Sequence, residues 1–505
     1  MLNLKVLQKK LQRVDQKTAL IYSTLAVIVL VGLFLRINDF SNRIYIGNEQ
    51  GRDFFISLVA AQELQLPMTG PWSSIGPITT GPWYWYYLIL MRHLIPHMLS
   101  PWIATTIASL LTIPIMYKIG SLIYDRYFGL ILAALAAFSI TLIEASIYLT
   151  NPYLLGFTSS LTVLCFLLSF RSKRMIYPAL TGLLVGIDLQ IHYQALMLVV
   201  LLFGFFLLPS QKIKAFAYSL LGLFISAIPM GFFELNNHYF NIWHMADFYF
   251  NVSETFYTPR RWLTFTTNTF PKLWGDVTGG GLLIGRLGMV LSGVTLAFLW
   301  WKKKLNKESV ILIIVFAIQI ISIRYWVGEI YVARIQYLIP WILLFTGAVL
   351  YTAIRIHKLL IVLLPLYILL IWSSVSSYVF SPNKDLVRIR QELQQIQQRY
   401  PNEKFSIYYC EVDRISRDMK DNYFMTMYME NMYSENGRKI AIWRKRNIPI
   451  VDEECGTPTN IVPVITSVWD INDDENDALT KKGWKEESPT NLYNRSVKWW
   501  YDEKP

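Results

Sequence analysis

Charge is the first thing this chain is short of. Asp, Glu, Lys and Arg make up 16% of its 505 residues, against roughly 25% in an average soluble domain. That shortage argues against a solvated globular protein, and the 53% of residues that are hydrophobic gather into runs long enough to cross a bilayer. Cysteine is scarcer still. Three residues, Cys165, Cys410 and Cys455, are too few for a disulfide framework. Cys165 sits inside an apolar run and reads as packing, whereas Cys410 and Cys455 share the polar tail and are able to pair if that tail is exported. No His or Cys ligand spacing demands a metal. No short apolar core ending in a small-residue cleavage site opens the chain, so Ala19 to Leu35 reads as a retained first helix. The net charge of +12 does not point to nucleic acid, because the basic residues gather at the ends of apolar runs, where they set orientation.

Those runs are 19–36, 100–117, 128–143, 152–170, 175–189, 192–208, 213–233, 282–301, 309–326, 337–354 and 359–380. They predict an all-α polytopic membrane protein of about eleven spans, or twelve to thirteen if interrupted segments also cross. Residues 1–18 form a basic arm with Lys5, Lys9, Lys10, Arg13 and Lys17, which places the amino terminus in the cytoplasm. With eleven spans, every basic turn falls on that side, and the uncharged turn 190–191 falls on the other. Trp83 to Leu99 threatens this parity. Its aromatic start suits an interface and Arg92, His93, Pro96 and His97 interrupt its second half, so it reads as a helix lying in or dipping into the outer interface. Two long loops, 37–99 and 234–281, then face outward. The tail 381–505 predicts a small α/β domain outside the membrane, with a helix at Asp385–Tyr400 and strands at Phe405–Cys410, Ile440–Trp443 and Ile461–Val468.

The first outer loop holds the informative residues. Gly47-Asn48-Glu49-Gln50-Gly51-Arg52-Asp53 follows the first span directly. A helix beginning here puts Glu49 and Asp53, four apart, on one face, with Arg52 placed to lower their pKa or to hold an anion. The spacing fits a helix-starting cap equally well. Gly70-Pro71-Trp72, Gly76-Pro77 and Gly81-Pro82-Trp83-Tyr84-Trp85-Tyr86-Tyr87 follow. An interfacial aromatic belt accounts for the rings alone, but not for an acid pair and three Gly-Pro turns in the same loop.

This succession resembles the first loop of GT-C glycosyltransferases, and within them the family 39 type, which includes protein O-mannosyltransferases and the aminoarabinose transferases of lipid A. Further similarities are Thr150-Asn151-Pro152, Gln190-Ile191-His192-Tyr193, Phe233-Glu234-Leu235-Asn236 and Arg334-Ile335-Gln336-Tyr337-Leu338-Ile339-Pro340. The resemblance covers roughly residues 19–380. Many members have Asp where this chain has Glu49, and Lys-Pro-Pro or His-Pro-Pro where it has Thr80-Gly81-Pro82.

The resemblance implies an inverting enzyme of the plasma (inner) membrane and cell envelope. It would move a sugar from a polyprenyl-phosphate carrier to a hydroxyl of a lipid, glycan or protein acceptor on the extracytoplasmic side. Glu49 is then the first choice for catalytic base and Asp53 the second. Arg260 and Arg261 are first candidates for the donor phosphate, with Arg334 and Arg52 next. Trp83, Tyr84, His192, Tyr193, Glu234 and Tyr337 are candidate substrate contacts, His192 fitting a buried hydrogen-bonded histidine as well. Glu144 marks the outer end of a span. The resemblance makes no cofactor certain and leaves a divalent metal ion open, with Glu49 its ligand if one binds.

Other signals carry less. Asp473-Asp474-Glu475-Asn476-Asp477 lies in the polar tail and reads as a solvated loop, Gly279-Gly280-Gly281 as a soft entry to a span, and Trp499-Trp500-Tyr501-Asp502 as chance. Asn251-Val-Ser253 and Asn494-Arg-Ser496 fit the glycosylation pattern. Two other functions compete: a transporter or flippase of lipid-linked glycans, and a non-catalytic scaffold in envelope assembly. Neither paired inverted repeats nor midplane charges favour transport.

Overall fold

A chain this apolar must satisfy its backbone polar groups internally wherever it lies in hydrocarbon, and helices do so within one segment. The computed structural model describes residues 16–73, 77–252, 259–325, 330–410, 414–442, 463–465, 468–470 and 484–493. Among the described residues, seven helical runs are long and apolar enough to cross a membrane: Gln16–Ile37 (α1), Ser100–Ile123, Asn151–Arg171, Lys212–Asn236, Gly281–Trp301, Val332–Ile356 and Lys358–Arg399. Arg126–Phe138 and Ile140–Ile147 form an eighth, bent by 52° at Ser139. The remaining apolar runs fall on Ile176–Ile191, Tyr193–Leu207 and Lys307–Arg324. Between α1 and the next span lie Asn48–Glu63 (α2) and Trp83–Leu94 (α3). At 12 residues, α3 rises only about 18 Å, short of the roughly 30 Å of a hydrocarbon core. It packs against α2 and Ser100–Ile123 (α4).

Lipid supplies no hydrophobic drive between helices, so close backbone approach through small residues matters. Asn151–Arg171 (α5) is followed by Ile176–Ile191 (α6) and Lys212–Asn236 (α7), and α6 and α7 pack in this way. A Cβ on Gly182 would lie 1.7 Å from the Ser219 carbonyl, and one on Gly222 would lie 2.0 Å from that of Ala179. Leu221, Phe224 and Ile228 of α7 point outward and are exposed, as lipid-facing residues are. One buried cation holds the bundle internally. The Arg36 guanidinium, fully buried, donates to Ser109 Oγ and to the carbonyls of Gly32, Ala136 and Ala137. Gly279 closes helix Phe270–Thr278 at φ +91°, a left-handed conformation, and opens the way into Gly281–Trp301.

The tail builds a small α/β unit. Lys384–Arg399 (α8) precedes strands Phe405–Cys410 (β1) and Arg438–Ile442 (β2), which run parallel and are joined through Arg414–Met429 (α9), the crossover that parallel pairing requires. The stretch expected as one strand at 461–468 instead contributes two short ones, Pro463–Ile465 (β3) and Val468–Asp470 (β4), paired antiparallel. Trp484–Glu487 (β5) completes the sheet in the order β3-β4-β2-β1-β5. Cys455, residues 473–477, Asn494 and residues 499–502 lie outside the described residues, as does the side chain of Cys410. The unit rests on α2: Phe424 stacks on Phe55 at 4.4 Å between centroids, and Tyr428 meets the same ring edge-on at 5.5 Å.

Candidate active site

The acidic turn folds as its sequence predicts, with Glu49 in the first turn of α2, where the helix dipole favours a negative charge. Gln50 Nε2 anchors that turn by donating to the Leu149 carbonyl at 3.1 Å. The two acids then diverge. Asp53 is fully buried and accepts three hydrogen bonds, from Arg52 Nε at 2.8 Å, Arg52 Nη2 at 3.2 Å and Trp85 Nε1 at 3.0 Å. Glu49 instead opens onto a cavity of about 410 Å³. Partial burial raises the Glu49 pKa above the usual carboxylate value; Arg52 opposes this and Asp53 adds to it. The Arg52 guanidinium, which burial would weaken, is held above its ordinary value by Asp53 and Glu49. Tyr84 is buried beside the same group, and its hydroxyl is pushed well up by burial and by Asp53.

Separate segments complete the cavity. His192, Tyr193 and Arg334 line it together with Glu49, and so do Glu144, Tyr148, Tyr153, Tyr331 and the turn Thr150-Asn151-Pro152. Asn151 Nδ2 donates to the Ile191 carbonyl at 2.7 Å, which joins the start of α5 to the end of α6 beside His192. Tyr148 is stacked between Tyr45, at 4.1 Å, and Tyr153, at 4.8 Å. The Arg334 guanidinium lies 4.9 Å from the centre of the Tyr331 ring. A cation, two carboxylates and stacked aromatic rings thus meet in one chamber.

Residues 70–73 and 77–81 form the rim, and the glycine at 81 has a reason. Trp72 bridges Thr79 in antiparallel fashion, and Gly81 N–H donates to the Gln190 carbonyl at 2.8 Å. A Cβ on Gly81 would fall 2.3 Å from Gln190 Oε1, so only glycine allows this approach. Trp83 Nε1 and Gln190 Nε2 both donate to the Ser226 carbonyl, at 2.8 and 2.7 Å. Close packing of α6 on α7 is therefore what sets the rim. Tyr193 donates through its hydroxyl to the Thr79 carbonyl, and Thr79 N–H donates to Asn241 Oδ1 at 2.7 Å. Asn241 in turn donates to Glu234 Oε1 at 2.8 Å.

Of the residues singled out from the sequence, Glu49, Glu144, His192, Tyr193 and Arg334 come together on the cavity. Arg52, Asp53, Trp83 and Glu234 stand behind it as supports. Tyr84 and Tyr337 are buried and do not line it. Arg261 lies in the short helix Pro259–Thr264, also away from the lining, and the side chain of Arg260 is outside the described residues. Tyr148, Tyr153 and Tyr331 were not singled out; for the first two, the nearest signal was the Thr-Asn-Pro turn between them. Among the described residues no three His, Cys, Asp or Glu side chains cluster as metal ligands, and Asp53 is already committed to Arg52 and Trp85. Glu49, Glu144 and His192 all line the cavity, but among the described residues they do not come together as a metal cage.

A bundle of apolar spans, with an acidic first-loop helix over a polar chamber, defines the class: a polytopic membrane protein. Neither a protein-family model nor a curated protein sequence matches the chain. Among solved structures, ArnT from Cupriavidus metallidurans in the apo state aligns at a TM-score of 0.54 and 12% identity, over 90% of this chain and 98% of that one. The same protein bound to undecaprenyl phosphate aligns at 0.53, again with 12% identity and the same coverage. The Archaeoglobus fulgidus oligosaccharyltransferase, in complex with Zn and sulfate, aligns at 0.49 and 14% identity over 75% of this chain. This chain spans 56% of that protein's length. At such identities the likeness is one of fold.

Proposed function

We propose that the chain is a membrane glycosyltransferase that moves a sugar from a polyprenyl-phosphate carrier to an acceptor hydroxyl on the extracytoplasmic side. The observation that carries this reading is the meeting of Glu49, Arg334 and the tyrosines on one cavity. The fold shared with ArnT, one structure of which is bound to undecaprenyl phosphate, agrees with it. The Glu49 carboxylate takes the proton of the acceptor hydroxyl as its oxygen attacks the anomeric carbon. The bond from that carbon to the phosphate oxygen breaks, and the electron pair leaves with the polyprenyl phosphate. Arg334, whose planar fork matches phosphate oxygens, stabilises the leaving charge. Tyr148 and Tyr153, stacked on each other, offer their ring edges and hydroxyls to a sugar. His192 and Tyr193 complete the wall; no step runs through a metal.

Turnover of a polyprenyl-phosphate-linked sugar in proteoliposomes, followed against pH, tests this reading. A base must be deprotonated, so activity should be full above the Glu49 pKa and fall as pH drops through it. Because burial raises that pKa, the acid limb should lie above the range of an ordinary carboxylate. A profile that stays flat through that region would remove Glu49 from the mechanism.

A further inference from the structure

A second cavity of about 560 Å³ shares no residue with the first. It lies where α2, α3 and the loop after α3 meet α8 and the end of α9. Arg92 forms one wall. It is 8% exposed, donates through Nε to Ser57 Oγ at 2.8 Å and through Nη2 to the Phe54 carbonyl at 3.0 Å, and lies 4.6 Å over the Phe54 ring. These partners are neutral. Among the described residues no carboxylate comes within ion-pair distance of Arg92, and burial pushes its pKa down to about 9. A buried charge without a countercharge is costly, and this one borders open space.

The other groups on the cavity complement it. His97 Nδ1 accepts the Leu99 N–H at 3.1 Å, so in the neutral ring Nε2 carries the proton and is a donor. His93 is exposed beside it. The one carboxylate among the lining residues, Glu430, is already paired with Arg390 at 2.8 Å. Met98, 40% exposed, together with Leu58, Ala61, Leu99 and Met429, gives the same cavity an apolar side. A pocket with donors on one side and apolar side chains on the other matches an amphiphile.

We propose that this cavity binds the phosphate headgroup of a membrane lipid, with Arg92, His93 and His97 on the phosphate and the hydrocarbon leaving past Met98 and Leu99. Because Arg390 and Glu430 belong to the C-terminal unit, such a lipid would tie that unit to α2 and α3. The site is separate from the Glu49 cavity and stands independently of the transferase reading.

Native mass spectrometry of the full chain in detergent, titrated with phosphatidylglycerol, diacylglycerol or inorganic phosphate, tests it. Phosphatidylglycerol should be retained and diacylglycerol lost. His93→Gln with His97→Gln should weaken retention by about tenfold or more, the effect of losing a charge-assisted hydrogen bond, and Arg92→Gln should weaken it further. The histidine pair is exposed, so its replacement leaves the fold intact and keeps the test valid if Arg92→Gln misfolds. Equal retention of diacylglycerol, unchanged retention in the histidine variant, or saturation by inorganic phosphate at the same affinity would each overturn the proposal.

Discussion

Glu49→Gln is expected to lower turnover about 10²–10⁴-fold, the usual contribution of a positioned general base, while the protein stays folded. In free-energy terms that is about 3–5 kcal/mol on the barrier. The substitution keeps size and shape and removes only the charge that accepts the proton. Glu49 opens onto the cavity and forms no ion pair among the described residues. Its contribution to stability is thus the dipole interaction at the start of α2, worth about 0.3–1 kcal/mol. Initial rates at saturating donor, measured alongside a thermal melt, check both halves. Loss of rate together with a collapsed melt would mean that Glu49 is part of the framework.

Asp53→Asn should behave in the opposite way. Its carboxylate is fully buried and accepts from three donors. An amide replaces one acceptor oxygen with a donor facing the Arg52 guanidinium or Trp85, and leaves that cation under-compensated. Arg52 retains 18% side-chain exposure, so the cost sits toward the lower end for a broken buried pair, about 3 kcal/mol. Unfolding followed by tryptophan fluorescence should show a clearly lowered midpoint. Activity should fall with the folded fraction and recover on cooling. A variant as stable as the parent but inactive would move Asp53 from support to chemistry.

This contrast shows how far sequence reasoning reached. Spacing placed Glu49 and Asp53 on one helical face, and α2 does start there. It carried no sign that Arg52 and Trp85 would close over one acid and leave the other open, because Trp85 lies 32 residues away in an aromatic run that reads as interface. The spans were legible from hydropathy alone, since the bilayer demands length and apolarity and little else. Which cation reaches the chamber was less legible. Arg334 lines the cavity because the Val332–Leu338 turn carries it there, while Arg261 lies off the lining and the Arg260 side chain is outside the described residues. Glu234 looked like a substrate contact because it sits at the end of a span. Its partner Asn241 and the link on to Thr79 exist only in three dimensions.

The central claim is a one-step displacement in which the hydroxyl activated by Glu49 attacks the carbon that still bears its phosphate. The anomeric configuration of the transferred sugar, read by NMR from the scalar coupling at the anomeric carbon and compared with that of the donor, tests it most directly. Inversion is the predicted result; retention, which requires an intermediate sugar–enzyme bond or its equivalent, would contradict it.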